Sequence, residues 1–159
     1  MVNFREKMLS FRHLCYKNGY LFAAFLIPVI LMGIAYISFG IYPFGGRSVL
    51  SLDLNAQYVF YFDYVHDVIG NGESLMYSWS RNLSGEFMGI IGYYLASPFN
   101  ILVWIFPRSM ITEGLLTMML AKFGACGVTF ALFAHKSQKL SKTTAVLFAP
   151  MYALCAYMI

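Results

Sequence analysis

Three side chains that could hold a divalent cation share one face of a segment with helical length. Within residues 54–69, Asp63, His66 and Asp67 follow one another at i, i+3 and i+4, and this spacing brings side chains together on a helix. Carboxylate oxygens and imidazole nitrogens both bind divalent metals. The same spacing arises on any amphipathic helix with a solvated polar stripe. The sequence therefore predicts either a cation site or such a stripe, and the stripe is the simpler interpretation.

Asp53 lies directly before this segment and has two alternative roles. Its carboxylate could cap the helix by accepting hydrogen bonds from the first free backbone amides. It could instead act as a general base that accepts the proton of a reacting hydroxyl group. From the residues by themselves, capping is the simpler interpretation.

Three basic side chains are candidates for binding phosphate. Arg47 and Arg81 lie in a polar stretch, and a forked guanidinium suits phosphate oxygens, although salt bridges with neighbouring carboxylates are an equal alternative. Lys122 lies near the centre of an apolar run, where an ammonium group is costly and is usually functional or paired. Small residues surround it and predict a helix face packed closely against a neighbour: Ala121, Gly124, Ala125 and Gly127. We expect Lys122 to meet a carboxylate or a lipid phosphate, or to line a structural cavity.

The composition around these residues is that of an integral membrane protein. Of the 159 residues, 60% are hydrophobic and 11% are charged, whereas soluble domains have about 45–50% and about 25%. These values exclude a soluble enzyme and a nucleic-acid-binding domain. The net charge of +4 comes from lysines and arginines beside apolar runs, so it indicates membrane topology rather than a nucleic-acid partner.

The apolar runs predict an all-α, multi-pass bundle in the lipid bilayer. Residues 20–39 form an uncharged run that is long enough to span, and the basic residues 1–19 before it predict a cytoplasmic N-terminus. Residues 111–134 form a second predicted span. Residues 135–142, with three lysines, are the predicted cytoplasmic loop, and residues 143–159 begin a further span.

Residues 40–110, between the first two spans, are predicted to form a long external loop. The tyrosine-rich and phenylalanine-rich segment 54–69 suits a helix at the membrane surface. Residues 87–106 are apolar but are broken at Pro98, so they either cross as a broken span or enter and return. A crossing would move the lysine-rich loop 135–142 outside, so the positive-inside rule favours a re-entrant or interfacial segment.

Four longer motifs follow the first apolar run in a fixed order: YPFGGRSVLSLDLNAQYVFYF, SLMYSWSRNLSGEF, GYYLASPFNILVWIFP and LAKFGACGVTFALF. This order resembles the start of the YfhO family of large multi-span proteins of the bacterial cytoplasmic membrane. The resemblance runs from about Ile41 to the C-terminus. Because the chain stops at Ile159 inside an apolar run, we expect it to be a fragment of a longer protein.

The resemblance implies a GT-C-like glycosyltransferase, a multi-span bundle whose long first external loop carries interfacial helices. Such enzymes take a sugar from a polyprenyl-phosphate donor, and the implied acceptor is an envelope polymer of the teichoic-acid kind. The resemblance makes Asp53 the candidate catalytic residue. Arg47 and Gln57 also match family positions, and together with Arg81 and Lys122 they are the candidate substrate-binding residues.

Two other functions remain alternatives. A transporter or flippase subunit would also explain Lys122 and the broken segment at Pro98. A non-catalytic structural membrane protein would use the acidic loop as a docking surface.

Overall fold

The computed structural model describes the backbone of residues 4–72, 74–79 and 85–155, and the side chains of these ranges from residue 18 onward. The chain forms two compact units. The first unit consists of Met1–Ala35 with Leu120–Ile159, and the second of Tyr36–Met119. Helices make up most of the chain, so the predicted helical class is confirmed.

The elements follow one another along the chain with short turns between most of them. Helix α1 (Phe4–Ser38) comes first, and a π-helical turn (Leu54–Tyr58) then continues as α2 (Val59–Asn71). Strands β1 (Tyr77–Ser78) and β2 (Gly85–Glu86) follow, and α3 (Met88–Ile90) continues as a second π-helical turn (Ile91–Leu95). A 3₁₀ turn (Pro98–Asn100) leads into α4 (Ile101–Ile105), and a further 3₁₀ turn (Arg108–Met110) precedes α5 (Ile111–Lys136) and α6 (Lys142–Ala153). The strands pair antiparallel, with Tyr77 opposite Glu86 and Ser78 opposite Gly85. The sequence analysis did not predict this short hairpin.

In the described part of the chain, two helical stretches are long and apolar enough to cross a membrane. They are Asn18–Ser38, with a mean hydropathy of 2.4, and Arg108–Lys136, with a mean hydropathy of 1.7. Both coincide with predicted spans. Helix α1 begins at Phe4, so the basic N-terminal segment continues the helix instead of merely flanking it. Residues 4–18 contain neither proline nor glycine to interrupt it.

In the first unit, α1 and α5 pack closely at two glycines. Pro28 has no backbone N–H, so the carbonyl of Ala24, four residues earlier, loses its helical donor. Gly127 lies so close to that carbonyl oxygen that a Cβ would overlap it, and a Cβ at Gly124 would overlap the ring of Phe25. The predicted close packing of the small-residue face of α5 is therefore confirmed at these glycines.

Alanines continue the close packing between α5 and α6. One buried cluster contains Ala24, Ala131, Ala134, Ala145 and Ala149. Small side chains let membrane helices approach closely, and the resulting van der Waals contacts hold them together where lipid removes most of the hydrophobic driving force.

The second unit has its own apolar core, built from α2, α3, α4 and the first turns of α5. Its buried members are Phe62, Val65, Phe87, Ile90, Leu95, Val103, Ile111, Leu115 and Met118. Gly114 lets α5 approach α4, because a Cβ there would lie 3.2 Å from the Cα of Val103. This core holds α2, which carries the three candidate residues Asp63, His66 and Asp67.

Residues 87–106 form two helical pieces that meet at a sharp angle. Met88–Leu95 and Pro98–Ile105 are bent by 92° at a short break. This geometry fits a broken span and a re-entrant loop equally. The re-entrant interpretation therefore stays a prediction.

The break itself follows from the sequence around Pro98. The preceding Ser97 is extended (φ −68°, ψ 132°), as residues before proline prefer. Asn100 is buried, and its Nδ2 donates a hydrogen bond to the carbonyl oxygen of Tyr94 at 3.2 Å. A helix end frees such carbonyls, so this contact stabilises the bend and fixes the position of Tyr94.

Candidate functional site

Asp53 is exposed at the start of the π-helical turn and does not cap it. Its backbone is already helical (φ −62°, ψ −28°), and its side chain makes no capping hydrogen bond. Capping residues normally have extended angles, from which the carboxylate can reach the free amides. The capping alternative is therefore wrong, and the carboxylate accepts no hydrogen bond within the described part of the chain.

Gln57 lies one helical turn after Asp53 and is held by Tyr94. The Tyr94 hydroxyl donates to Oε1 of Gln57 at 2.8 Å, and Asp53 is close enough to Tyr94 to interact with it electrostatically. Residues at i and i+4 share a helix face. The structure thus brings Asp53 and Gln57 together beside Tyr94.

Tyr94 is the centre of a group of rings that we call the tyrosine cluster: Tyr58, Tyr61, Tyr93 and Tyr94. Ring centroids lie 4.9 Å from Tyr94 to Tyr58, 5.1 Å to Tyr61 and 4.6 Å to Tyr93. The sequence analysis did not select Tyr94 as a site residue. Tyr94 belongs to the GYYLASPFN motif that the sequence analysis quoted. Only the fold, however, places this motif beside the π-helical turn.

Arg47 closes a compact loop, residues 40–47, that follows α1. Its N–H donates to the carbonyl of Gly40 at 3.0 Å, and its carbonyl accepts from the N–H of Tyr42 at 2.7 Å. Gly45 lies against the backbone of Gly40, where a Cβ would not fit. The Arg47 side chain is exposed and has no hydrogen bond or ion pair with the residues that the structure describes. Its guanidinium is available to an anionic ligand.

A side-chain contact fastens this loop to the first turn of α5. The Tyr42 hydroxyl donates to Oε1 of Glu113 at 2.9 Å. This hydrogen bond to a carboxylate raises the pKa of Tyr42 above its ordinary value of 10.0. Because the folded-state pKa is above the unfolded-state value, the contact stabilises the folded protein below pH 10.0. That stabilisation is lost as the pH rises through the folded-state pKa.

We expect the ultraviolet difference titration between the wild type and Tyr42→Phe to show a midpoint above pH 10.0. The difference isolates one phenol among 12 tyrosines. Glu113→Gln removes the carboxylate and should lower that midpoint toward the ordinary value. A midpoint at or below pH 10.0 in the wild-type difference would contradict the Tyr42–Glu113 contact.

Arg108 joins the two aspartates of α2 into one ion cluster. Its Nε and Nη2 donate to the two carboxylate oxygens of Asp63, the second at 2.6 Å, and its Nη1 donates to Oδ1 of Asp67. The Nε2 of His66 is buried and has no hydrogen-bond partner in the described part of the chain. The sequence analysis placed the aspartates on one face but missed Arg108 as their partner.

These contacts bear directly on the predicted cation site at Asp63, His66 and Asp67. Among the residues that the structure describes, no three side chains of the metal-binding types come together. The guanidinium of Arg108 instead supplies the positive charge beside the two carboxylates. The ion pairs therefore favour the structural interpretation of the stripe over the metal site.

Arg108→Ala should destabilise the protein more at low salt than at high salt. The substitution leaves two carboxylates one turn apart without their cation, and salt screens repulsion between exposed charges. The effect should be small, because exposed ion pairs contribute little and the Arg108 side chain is 53% exposed. Chemical unfolding in detergent at two salt concentrations measures it. Arg47→Ala is the matched control, and an equal loss in both variants would contradict the prediction.

Two candidates lie apart from the features described so far. Arg81 is outside the described residues. Lys122 belongs to the first unit, where its side chain is half-buried on α5 and forms no hydrogen bond or ion pair with the described residues.

The comparison with known proteins agrees with the membrane character of the chain. The family model described as bacterial membrane protein YfhO matches residues 23–159. No curated protein and no solved structure matches significantly. The matched range contains both candidate spans almost entirely, the loop that carries Arg47, and the turn that carries Asp53 and Gln57. The chain therefore belongs to the YfhO family of bacterial membrane proteins.

Proposed function

We propose that this chain takes part in a membrane glycosyltransferase that moves a sugar from a polyprenyl-phosphate donor to an extracytoplasmic envelope polymer. The observation that carries the proposal is the state of Asp53, an exposed carboxylate without a structural partner, one turn before Gln57. The resemblance to GT-C-like enzymes supplies the reaction class. In that class an acidic residue soon after the first span is the expected base.

Local backbone geometry supports a functional role for this turn. Leu52, directly before Asp53, has a positive φ of 48° and is 89% exposed. A non-glycine residue is uncommon in this conformation, and such strain collects at functional sites. No packing of the Leu52 side chain accounts for it.

In the proposed reaction, Asp53 accepts the proton of an acceptor hydroxyl while that oxygen forms a bond to the anomeric carbon of the sugar. The bond between the anomeric carbon and the phosphate oxygen breaks, and the polyprenyl phosphate leaves with the electron pair. Gln57 is positioned by Tyr94. Because the Gln57 carbonyl already accepts from Tyr94, its NH₂ group is left to donate to the sugar or the phosphate.

A cationic group must stabilise the leaving phosphate. Arg47 is suited to this role because its guanidinium is exposed and unpaired with the described residues, and its loop is tied down at Tyr42. Arg81 and Lys122 are further candidates from the sequence.

The test is transfer in lipid vesicles by the protein purified as its host produces it. The donor is a polyprenyl phosphate that carries a radiolabelled sugar, and the acceptor is a teichoic-acid-type polymer. We expect the label to move from the lipid fraction to the polymer. Label that stays entirely on the lipid, with folded protein and accessible acceptor, would overturn the proposal.

A flippase is the second candidate, and the 92° bend between Met88–Leu95 and Pro98–Ile105 favours it. Transporters bind substrates at such interrupted helices. In the same vesicles a flippase would move the labelled donor between the leaflets without any transfer to polymer. The two activities are therefore separated in one preparation.

A further inference from the structure

A cavity of about 270 Å³ lies beside α2 in the second unit, and we call it the α2 pocket. Its wall contains four aromatic rings and two carboxylates: Phe60, Tyr61, Tyr64, Phe87, Asp63 and Asp67. Pockets for drug-sized ligands have volumes from about 300 Å³ upward, and the α2 pocket is slightly smaller than that. The space therefore suits one ring-sized molecule.

The aromatic wall of the α2 pocket is held in place by ring contacts. The centroids of Tyr64 and Phe87 are 4.6 Å apart at an interplanar angle of 70°, and those of Tyr61 and Phe87 are 6.4 Å apart. Phe87 is only 2% exposed and belongs to the core of the unit. The rings thus offer a preformed apolar surface to a ligand.

The polar part of the pocket accepts hydrogen bonds. Arg108 occupies both carboxylate oxygens of Asp63 but only Oδ1 of Asp67, so Oδ2 of Asp67 is left to a ligand. An ionised carboxylate accepts and cannot donate. A ligand in the pocket must therefore carry O–H or N–H donors beside an apolar face.

The ion cluster is compatible with a neutral donor, because Arg108 already pairs with both carboxylates and offsets one of their two charges. Asp63, Asp67 and Arg108 together carry a net charge of about −1, and an ammonium ligand at the carboxylates would also lie close to the Arg108 guanidinium and be repelled by it. Hydroxyl donors meet no such repulsion. A pyranose ring has C–H groups on its face and hydroxyls around its rim, which matches the aromatic wall and the carboxylate edge.

We propose that the α2 pocket is a subsite for a neutral sugar ring. The subsite is distinct from the reacting centre, because Asp63 follows Asp53 by ten residues, or about 15 Å along a helix. Tyr61 connects the two places, since it lines the pocket and packs against Tyr94. This inference rests on the proposed function: the substrate extends beyond the transferred sugar, and the α2 pocket holds another of its sugar units.

The test is direct binding, without polyprenyl donor and without transfer. Methyl glucopyranoside and methyl N-acetylglucosaminide are added to the purified protein in detergent, with tetramethylammonium as the cation probe, and binding is followed by saturation-transfer NMR. We expect at least one glycoside to bind. Asp67→Asn should weaken that binding about tenfold, because it removes a charged acceptor. Tyr64→Ala should weaken it by a similar factor because the stacking wall is lost.

Matched variants keep the test decisive. Tyr64→Phe preserves the ring and should retain binding even if Tyr64→Ala fails to fold, and Tyr152→Ala removes a tyrosine from α6 without touching the pocket. Absence of glycoside binding, unchanged affinity in Asp67→Asn, or displacement of the glycoside by tetramethylammonium would each overturn the subsite. Asp53→Asn should bind the glycosides normally, so a failed transfer reaction and a failed subsite give different results.

Discussion

Asp53→Asn is expected to lower the rate of sugar transfer by at least about 100-fold, the smaller end of what a general base contributes. Asparagine keeps the size and the hydrogen-bonding oxygen of the side chain but cannot take up the proton of the acceptor hydroxyl. Because Asp53 is exposed and caps no helix, the substitution should leave folding and membrane insertion intact. The measurement is the initial rate of label transfer from polyprenyl phosphate to polymer in vesicles.

The matched control is Asn55→Ala in the same π-helical turn. Asn55 is also exposed, so its loss should leave the rate unchanged. Asp53→Glu retains a carboxylate at a displaced position and should keep part of the activity. A normal transfer rate in Asp53→Asn would remove Asp53 from the mechanism and leave the role of base to another group.

Gly127→Ala is expected to destabilise the first unit by about 1–3 kcal/mol, the usual cost of overpacking. The new methyl group would overlap the carbonyl oxygen of Ala24 and lie 3.1 Å from Cγ of Pro28. That backbone cannot yield easily, because Pro28 already interrupts the hydrogen bonding of α1 at this point. The free energy of unfolding, measured by denaturant titration in detergent, should fall accordingly.

Gly33→Ala is the control for this substitution. Its Cβ would meet nothing within 4 Å, so it adds the same methyl group to a membrane helix without the overlap. Alanine also favours a helix over glycine by about 1 kcal/mol, which should make this variant at least as stable as the wild type. Equal stability of the two variants would show that α1 and α5 are not in close contact at Gly127.

Much of the local structure could be predicted because it depends on short-range chemistry. An uncharged run of membrane length must become a helix, since lipid offers no partner for backbone groups. This requirement explains the agreement for both spans. Pro98 likewise predicted a break, because proline lacks a backbone donor and disfavours the helical conformation at the residue before it. Glycine also ends α2, because Gly72 adopts the left-handed conformation that closes the helix.

The pairing of charges could not be predicted in the same way. The i, i+3, i+4 spacing correctly placed Asp63 and Asp67 on one face, but it could not show that Arg108, 45 residues from Asp63, donates to both. Only the packed core brings the 3₁₀ turn Arg108–Met110 to that face. The spacing that suggested a metal site carries ion pairs with Arg108 in the fold.

By itself, the sequence determined the membrane class, the two candidate spans and the break at Pro98. Composition and periodicity are properties of neighbouring residues, so they can be read without the fold. The tertiary structure decided that Asp53 caps nothing, that Tyr94 holds Gln57, and that aromatic rings and carboxylates line the α2 pocket. These features join residues far apart along the chain, and such contacts exist only after the core has formed.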